Sequence, residues 1–211
     1  MGAILNLSKS IQSAIERSAW VREMFEEGER LATQIGQENV FDFTIGNPTL
    51  EPPQVVQKNL QELVTSGLKG LHRYTPNTGI LLARDRVAQN LTAETGLSFK
   101  ADHIVFTSGA GGGLNILFKT LLNPGDEVIV SAPYFVEYDF YVENVGAKLK
   151  IINSLPNFQL DLKEIEQAIS PQTKIVLINS PNNPTGVVYP EEDLRQLGNL
   201  LDRISVARGG D

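Results

Sequence analysis

Cysteine is absent from the 211 residues, and histidine occurs only at His72 and His103. The first absence removes disulfides, thiolate metal sites and thiol nucleophiles together. The second makes a histidine-built metal centre improbable. No apolar run approaches the ~20 residues that span a bilayer. The opening Met1-Gly-Ala-Ile-Leu-Asn6 lacks the charged and then apolar pattern of a secretory signal. Basic residues are also few: 18 Lys and Arg stand against 25 Asp and Glu, a formal charge of −7. Nucleic acid is disfavoured as a partner, because phosphate backbones demand clustered cations. What remains, with 41% hydrophobic and 20% charged residues, is the composition of a folded soluble chain rather than a disordered one. A cytoplasmic protein with no membrane partner is the expectation.

Periodicity divides the chain into alternating elements. Apolar residues Ile11, Ile15, Trp20, Met24, Phe25, Leu31 and Ile35 recur at helical spacing over 7–35, with Gly36 placed to cap. A short strand is expected over 41–45, running into Gly46-Asn47-Pro48. Pro52-Pro53 can open a helix whose Val55, Val56, Leu60 and Leu63 are expected to face inward. Further helices are expected over 80–95, 112–122, 134–145, 161–169 and 191–204. Strands are expected over 103–107, 127–131, 148–153 and 174–179. Asp161 suits the cap of its helix. Strands alternating with helices predict an α/β fold, a mainly parallel sheet flanked by helices behind an N-terminal helical arm. There is no internal repeat.

Three of the predicted strands end in segments with chemical content. Thr107-Ser-Gly-Ala-Gly-Gly-Gly113 leaves one strand and opens a helix almost without side chains. Its backbone N–H groups could meet an anion, helped by about 0.3–1 kcal/mol from the helix dipole. It could equally be a tight turn whose glycines permit close packing. No Gly-Lys-Ser/Thr follows, so a nucleoside triphosphate is disfavoured, and the dinucleotide spacing also fails. Ser131-Ala-Pro-Tyr-Phe135 offers aromatic faces on which a planar ligand could stack, or which simply fill a core. Ser180-Pro-Asn-Asn-Pro-Thr-Gly186 holds Asn183 between proline rings, where its amide could donate to a phenolate or serve as an ordinary turn asparagine. A phosphate cradle, an aromatic face and an amide donor together suit a phosphorylated aromatic ring such as pyridoxal 5'-phosphate.

The order Gly46-Asn-Pro, Tyr74-Thr-Pro-x-x-Gly79, Ser108-Gly-Ala, Asn123-Pro-Gly-Asp-Glu-Val-Ile, Ala132-Pro-Tyr-Phe and Asn182-Asn-Pro-Thr-Gly186 resembles class I/II aminotransferases of the aspartate aminotransferase superfamily, with their type I pyridoxal-phosphate fold. The resemblance runs from about Leu7 onward. It implies that Gly109, Ala110 and Gly111 bind the cofactor phosphate, that Phe135 stacks on the pyridine ring and that Asn183 bonds its hydroxyl. It implies that Tyr74 reaches the cofactor of a neighbouring subunit in a homodimer, and that Gly46 and Asn47 line the substrate carboxylate pocket. Residues 1–50 would form an N-terminal helix and arm, and 51–211 the first, incomplete part of the cofactor-binding large domain.

The family's pyridinium-pairing aspartate, its cofactor-bonding lysine and its late arginines have no recognisable counterpart. Asp211 follows Arg208-Gly-Gly rather than an apolar strand. Family members are much longer, and the expectation is a truncated aminotransferase, inactive alone. The complete enzyme would move an amino group from an amino acid to a 2-oxo acid. The missing part would supply strands between the first strand here and the other three, leaving edges that invite association. A pyridoxal-phosphate lyase or synthase and a non-catalytic binding or dimerisation module remain the alternatives.

Overall fold

A computed structural model describes residues 7–41, 43, 46 and 50–209. The chain divides into two compact units, Met1–Tyr74 and Thr75–Asp211. In the first, helix α1 spans Lys9–Ile35. The Ser8 hydroxyl accepts from the Ile11 N–H at its start, and Gly36, at φ 91°, closes its end through a bond to the Ala32 carbonyl. A left-handed φ of this kind is open to glycine at little cost. Helix α2, Gln54–Thr65, follows Pro53 as expected. Its Val55, Val56, Leu60 and Leu63 are exposed, however, and do not face inward. Helical spacing reveals that a face is apolar; it does not say that the same chain covers it. The strand and turn expected over 41–48 fall largely outside the described residues.

The second unit opens with α3, Leu81–Thr95, ended by Gly96 in the left-handed region. Helix α4, Gly109–Leu121, precedes the alternating part of the chain: β1 Glu127–Ala132, α5 Glu137–Glu143, β2 Lys148–Asn153, α6 Leu162–Ala168, β3 Thr173–Leu177 and α7 Glu191–Ala207. The three strands form one parallel sheet in the order β2-β1-β3. Asp161 caps α6, its carboxylate accepting from the Glu164 N–H at 3.0 Å.

Strand β1 is central, and its run Val128-Ile-Val130 is buried on both faces, as a parallel strand between helical layers must be. Val128 packs with Phe118 of α4, Leu122 just past its end and Val142 of α5. Ile129 packs on the opposite side with Ile152, Ile165 of α6, and Leu197 and Leu200 of α7. Two helices therefore cover each face. Alternation of side chains along β1 sends neighbouring residues into different cores.

One expected strand does not form. Residues 101–103 make a 3-10 turn, and 104–107 continue extended but join no sheet among the described residues. Their exposed Val105 and Phe106 (54% and 45%) keep the apolar composition that suggested a strand. A strand also requires a hydrogen-bonded neighbour, and here the Phe106 N–H instead meets the Thr78 carbonyl at 3.0 Å. The Phe106 ring lies so close over Gly79 that a Cβ there would clash with its Cδ2.

Candidate functional site

The glycine segment is the first turn of α4, which begins three residues earlier than the pattern predicts. Gly109 adopts φ +72°, and nothing among the described residues lies within 4 Å of where its Cβ would project. The Gly109 N–H and the Thr107 hydroxyl close the turn, donating at 3.0 Å to the Thr107 and Gly109 carbonyls respectively. Ser108 makes no side-chain capping bond. The first-turn N–H groups of a helix have no intrahelical acceptor. An open-sided glycine turn thus presents donors and the positive end of a helix.

Gly111 faces another way. A Cβ there would stand 2.8 Å from the Tyr141 hydroxyl, so α5 packs directly against this turn. One turn further along, the Asn144 side-chain amide donates to Asn115 Oδ1 at 3.0 Å, and Asn115 Nδ2 donates to the Gly111 backbone carbonyl at 2.9 Å. These contacts fix the glycine turn to the helix that follows Phe135.

Phe135 sits half-buried between β1 and α5, its ring edge-on to Tyr138 at a centroid distance of 5.6 Å. Tyr138 is buried beneath it and also stacks with Tyr134 at 6.5 Å. The Tyr134 hydroxyl donates to the Asp139 carboxylate at 3.1 Å. Burial, and then the nearby Tyr141, push the Tyr138 hydroxyl above its ordinary range, so it stays protonated. Phe135 is thereby held edge-on by one buried aromatic neighbour while the residue stays partly exposed.

The two asparagines after β3 differ completely. Asn183 is exposed, and its amide forms no hydrogen bond among the described residues. Asn182 is buried, with 8% of its surface exposed. Its amide donates to the Pro133 carbonyl at 3.0 Å and to the Thr185 hydroxyl at 2.9 Å. The Pro133 bond crosses from the loop after β3 to the loop after β1. Residue patterning marked Asn183 and passed over Asn182, although the doublet itself signalled that two amides compete for two environments.

Gly109, Ala110, Gly111, Phe135 and Asn183 all belong to the second unit, on segments linked pairwise by the Tyr141 and Asn182 contacts. Gly46 and Tyr74, both exposed, belong to the first, and Asn47 lies outside the described residues. A cavity of about 560 Å³ lies elsewhere, along the free edge of β3, lined by Thr173, Lys174, Val176, Leu201, Ile204 and Arg208. None of the five glycine-turn and loop residues lines it, and its polar groups are mostly engaged with the fold. The strand-end loops hold the better chemistry: ligands of open α/β sheets sit beyond the carboxyl ends of strands. Among the described residues no cluster of three metal-binding side chains occurs, and no helix is long and apolar enough to cross a membrane.

Comparison with known proteins bears on the family. The family model for aminotransferase class I and II matches residues 38–206. A probable aspartate/prephenate aminotransferase of Thermus aquaticus is 39% identical over 159 residues, 74% of this chain and 41% of that protein. A probable aspartate aminotransferase of Methanocaldococcus jannaschii is 33% identical over 86% of this chain and 46% of its own length. Among solved structures, an aminotransferase from Eubacterium rectale superposes with a TM-score of 0.92 at 38% identity, covering 97% of this chain and 52% of the other. The chain spans about half the length of the relatives it matches. Motif order, parallel sheet and family match agree, and the chain belongs to the class I and II aminotransferases.

Proposed function

We propose that this chain contributes part of a pyridoxal 5'-phosphate site in an aminotransferase that moves an amino group between an amino acid and a 2-oxo acid. The observation that carries the reading is the linkage of three ligand-suited segments around the carboxyl ends of β1 and β3. The residues fit the group. Gly109 leaves open the space that a Cβ would fill, Phe135 is only half-buried, and the Asn183 amide is uncommitted among the described residues.

In this reading Gly109 leaves the space for the phosphate and the backbone N–H groups of Ala110 and Gly111 donate to it, with the α4 dipole favouring its charge. Phe135 supports one face of the pyridine ring and excludes water from it. Asn183 donates to the ring hydroxyl oxygen and fixes the ring's rotation. Bound there, the cofactor supplies the carbonyl that takes up the amino group and a ring that withdraws electrons. Tyr74 reaches the phosphate of a neighbouring subunit in a homodimer, and Gly46 with Asn47 contacts the substrate carboxylate. The arm over 1–50 and the large-domain portion over 51–211 divide these tasks.

None of the chain's lysines occupies a motif suited to bonding the cofactor, so binding without turnover is expected. The test titrates the 211-residue chain with pyridoxal 5'-phosphate, follows absorbance, and assays amino transfer. A saturable spectral shift that inorganic phosphate competes away supports the reading. Absence of any shift favours a non-catalytic module instead. Transfer catalysed by these residues alone would overturn the assignment of the reactive amine to another segment.

A further inference from the structure

We propose that Asn182 is a positioning residue of this site: its buried amide sets the separation between the loop that carries Phe135 and the loop that carries Asn183. The inference rests on the cofactor reading above. Both amide protons of Asn182 are committed, one to the Pro133 carbonyl and one to the Thr185 hydroxyl. Its backbone is committed too. The Asn182 N–H donates to the Val187 carbonyl at 2.8 Å, and the Asn182 carbonyl accepts from the Gly186 N–H at 2.7 Å. The loop therefore closes on itself around Asn182, and the single bond to Pro133 ties that closed loop to its neighbour across the sheet end.

Chemistry narrows the residue type. Aspartate has no proton to give and would set a charge against two oxygens. Glutamine would carry the same donors one methylene further. Alanine would take the donor away from both the Pro133 carbonyl and the Thr185 hydroxyl, freeing the two loops to move apart. Pro133 stands two positions before Phe135, and Asn182 stands one before Asn183. Movement at this bond thus changes the spacing between ring support and amide donor. The glycine turn is not part of it, because α4 is fixed through Gly111 and Asn115 to α5.

The experiment compares three probes on the 211-residue chain: pyridoxine 5'-phosphate, which has no aldehyde to react with lysine, its 3-O-methyl ether, and inorganic phosphate. The wild-type chain should prefer the free ring hydroxyl over the ether. Asn182→Ala should shrink that preference by about tenfold while holding inorganic phosphate affinity within about twofold. Thr185→Val, which removes one of the two amide bonds and spares Pro133, should shrink it by roughly threefold. It carries the test if Asn182→Ala fails to fold. An undiminished preference in a folded Asn182→Ala, or in Thr185→Val should that alone fold, overturns the proposal and spares the cofactor reading. Equal losses for all three probes mean that Asn182 serves only the fold, and also overturn it. A wild-type chain that binds pyridoxine 5'-phosphate no better than inorganic phosphate overturns the cofactor reading, and the proposal with it.

Discussion

The two ends of the same three strands are built to opposite purposes. At the amino ends, polar groups satisfy one another. Glu127 accepts from the Ser170 hydroxyl at 2.6 Å and the Thr173 hydroxyl at 3.3 Å, and pairs with Lys150 at 3.7 Å. Arg208, just past α7, donates to the Ser170 and Thr173 carbonyls. At the carboxyl ends, the open face of Gly109 and the exposed amide of Asn183 find no such use among the described residues. Buried polar groups are ordinarily consumed in structure. The satisfied groups belong to the fold, and the open ones are where the proposed cofactor would be recognised.

Substitutions can break that contrast in graded steps. Ile129→Ala in the shared core should weaken both ends together, lowering unfolding stability by about 2–5 kcal/mol in denaturant titrations. Gly109→Val should act mainly at the carboxyl end. A β-branched residue at φ +72° is strained by about 1–3 kcal/mol, and its side chain would fill the phosphate cradle, removing measurable pyridoxine 5'-phosphate binding. Glu127→Ala should act only at the amino end, costing about 1–3 kcal/mol with ligand affinity unchanged.

The pH dependence sharpens the same point. The Ser170 hydroxyl, with Lys150 and Thr173 assisting against the opposing effect of burial, holds the Glu127 carboxyl below the usual carboxylate range. Its stabilisation is therefore complete above the unfolded-state pKa and is lost as the pH falls through the lower folded value. Glu127→Gln should flatten that part of the acid limb, measured as unfolding free energy against pH. The smallest effect on stability is expected from Asn183→Ala, within about 0.5 kcal/mol, although affinity for the ring hydroxyl should fall by about tenfold.

Much of the scaffold was legible because it depends on local signals. The Gly36 cap, the Asp161 cap and the strand over 127–131 are each written in adjacent residues. Two expectations failed for one physical reason. Residues 104–107 have strand composition, and α2 has an apolar stripe, but pairing and burial depend on neighbours that a linear pattern does not contain. The site was legible as segments and not as a joint. Nothing in the doublet says which asparagine turns inward, because that follows from the position of the Pro133 carbonyl, 49 residues away in sequence.

Amide shifts of the 211-residue chain on addition of pyridoxal 5'-phosphate give the most direct test. Perturbations should gather at Thr107–Gly113, Phe135 and Asn182–Gly186, leaving Glu127, Ser170 and Arg208 in place. Shifts centred on Ser170 and Arg208, or none at the glycine turn under saturating cofactor, would contradict the assignment of ligand binding to the carboxyl ends of the sheet.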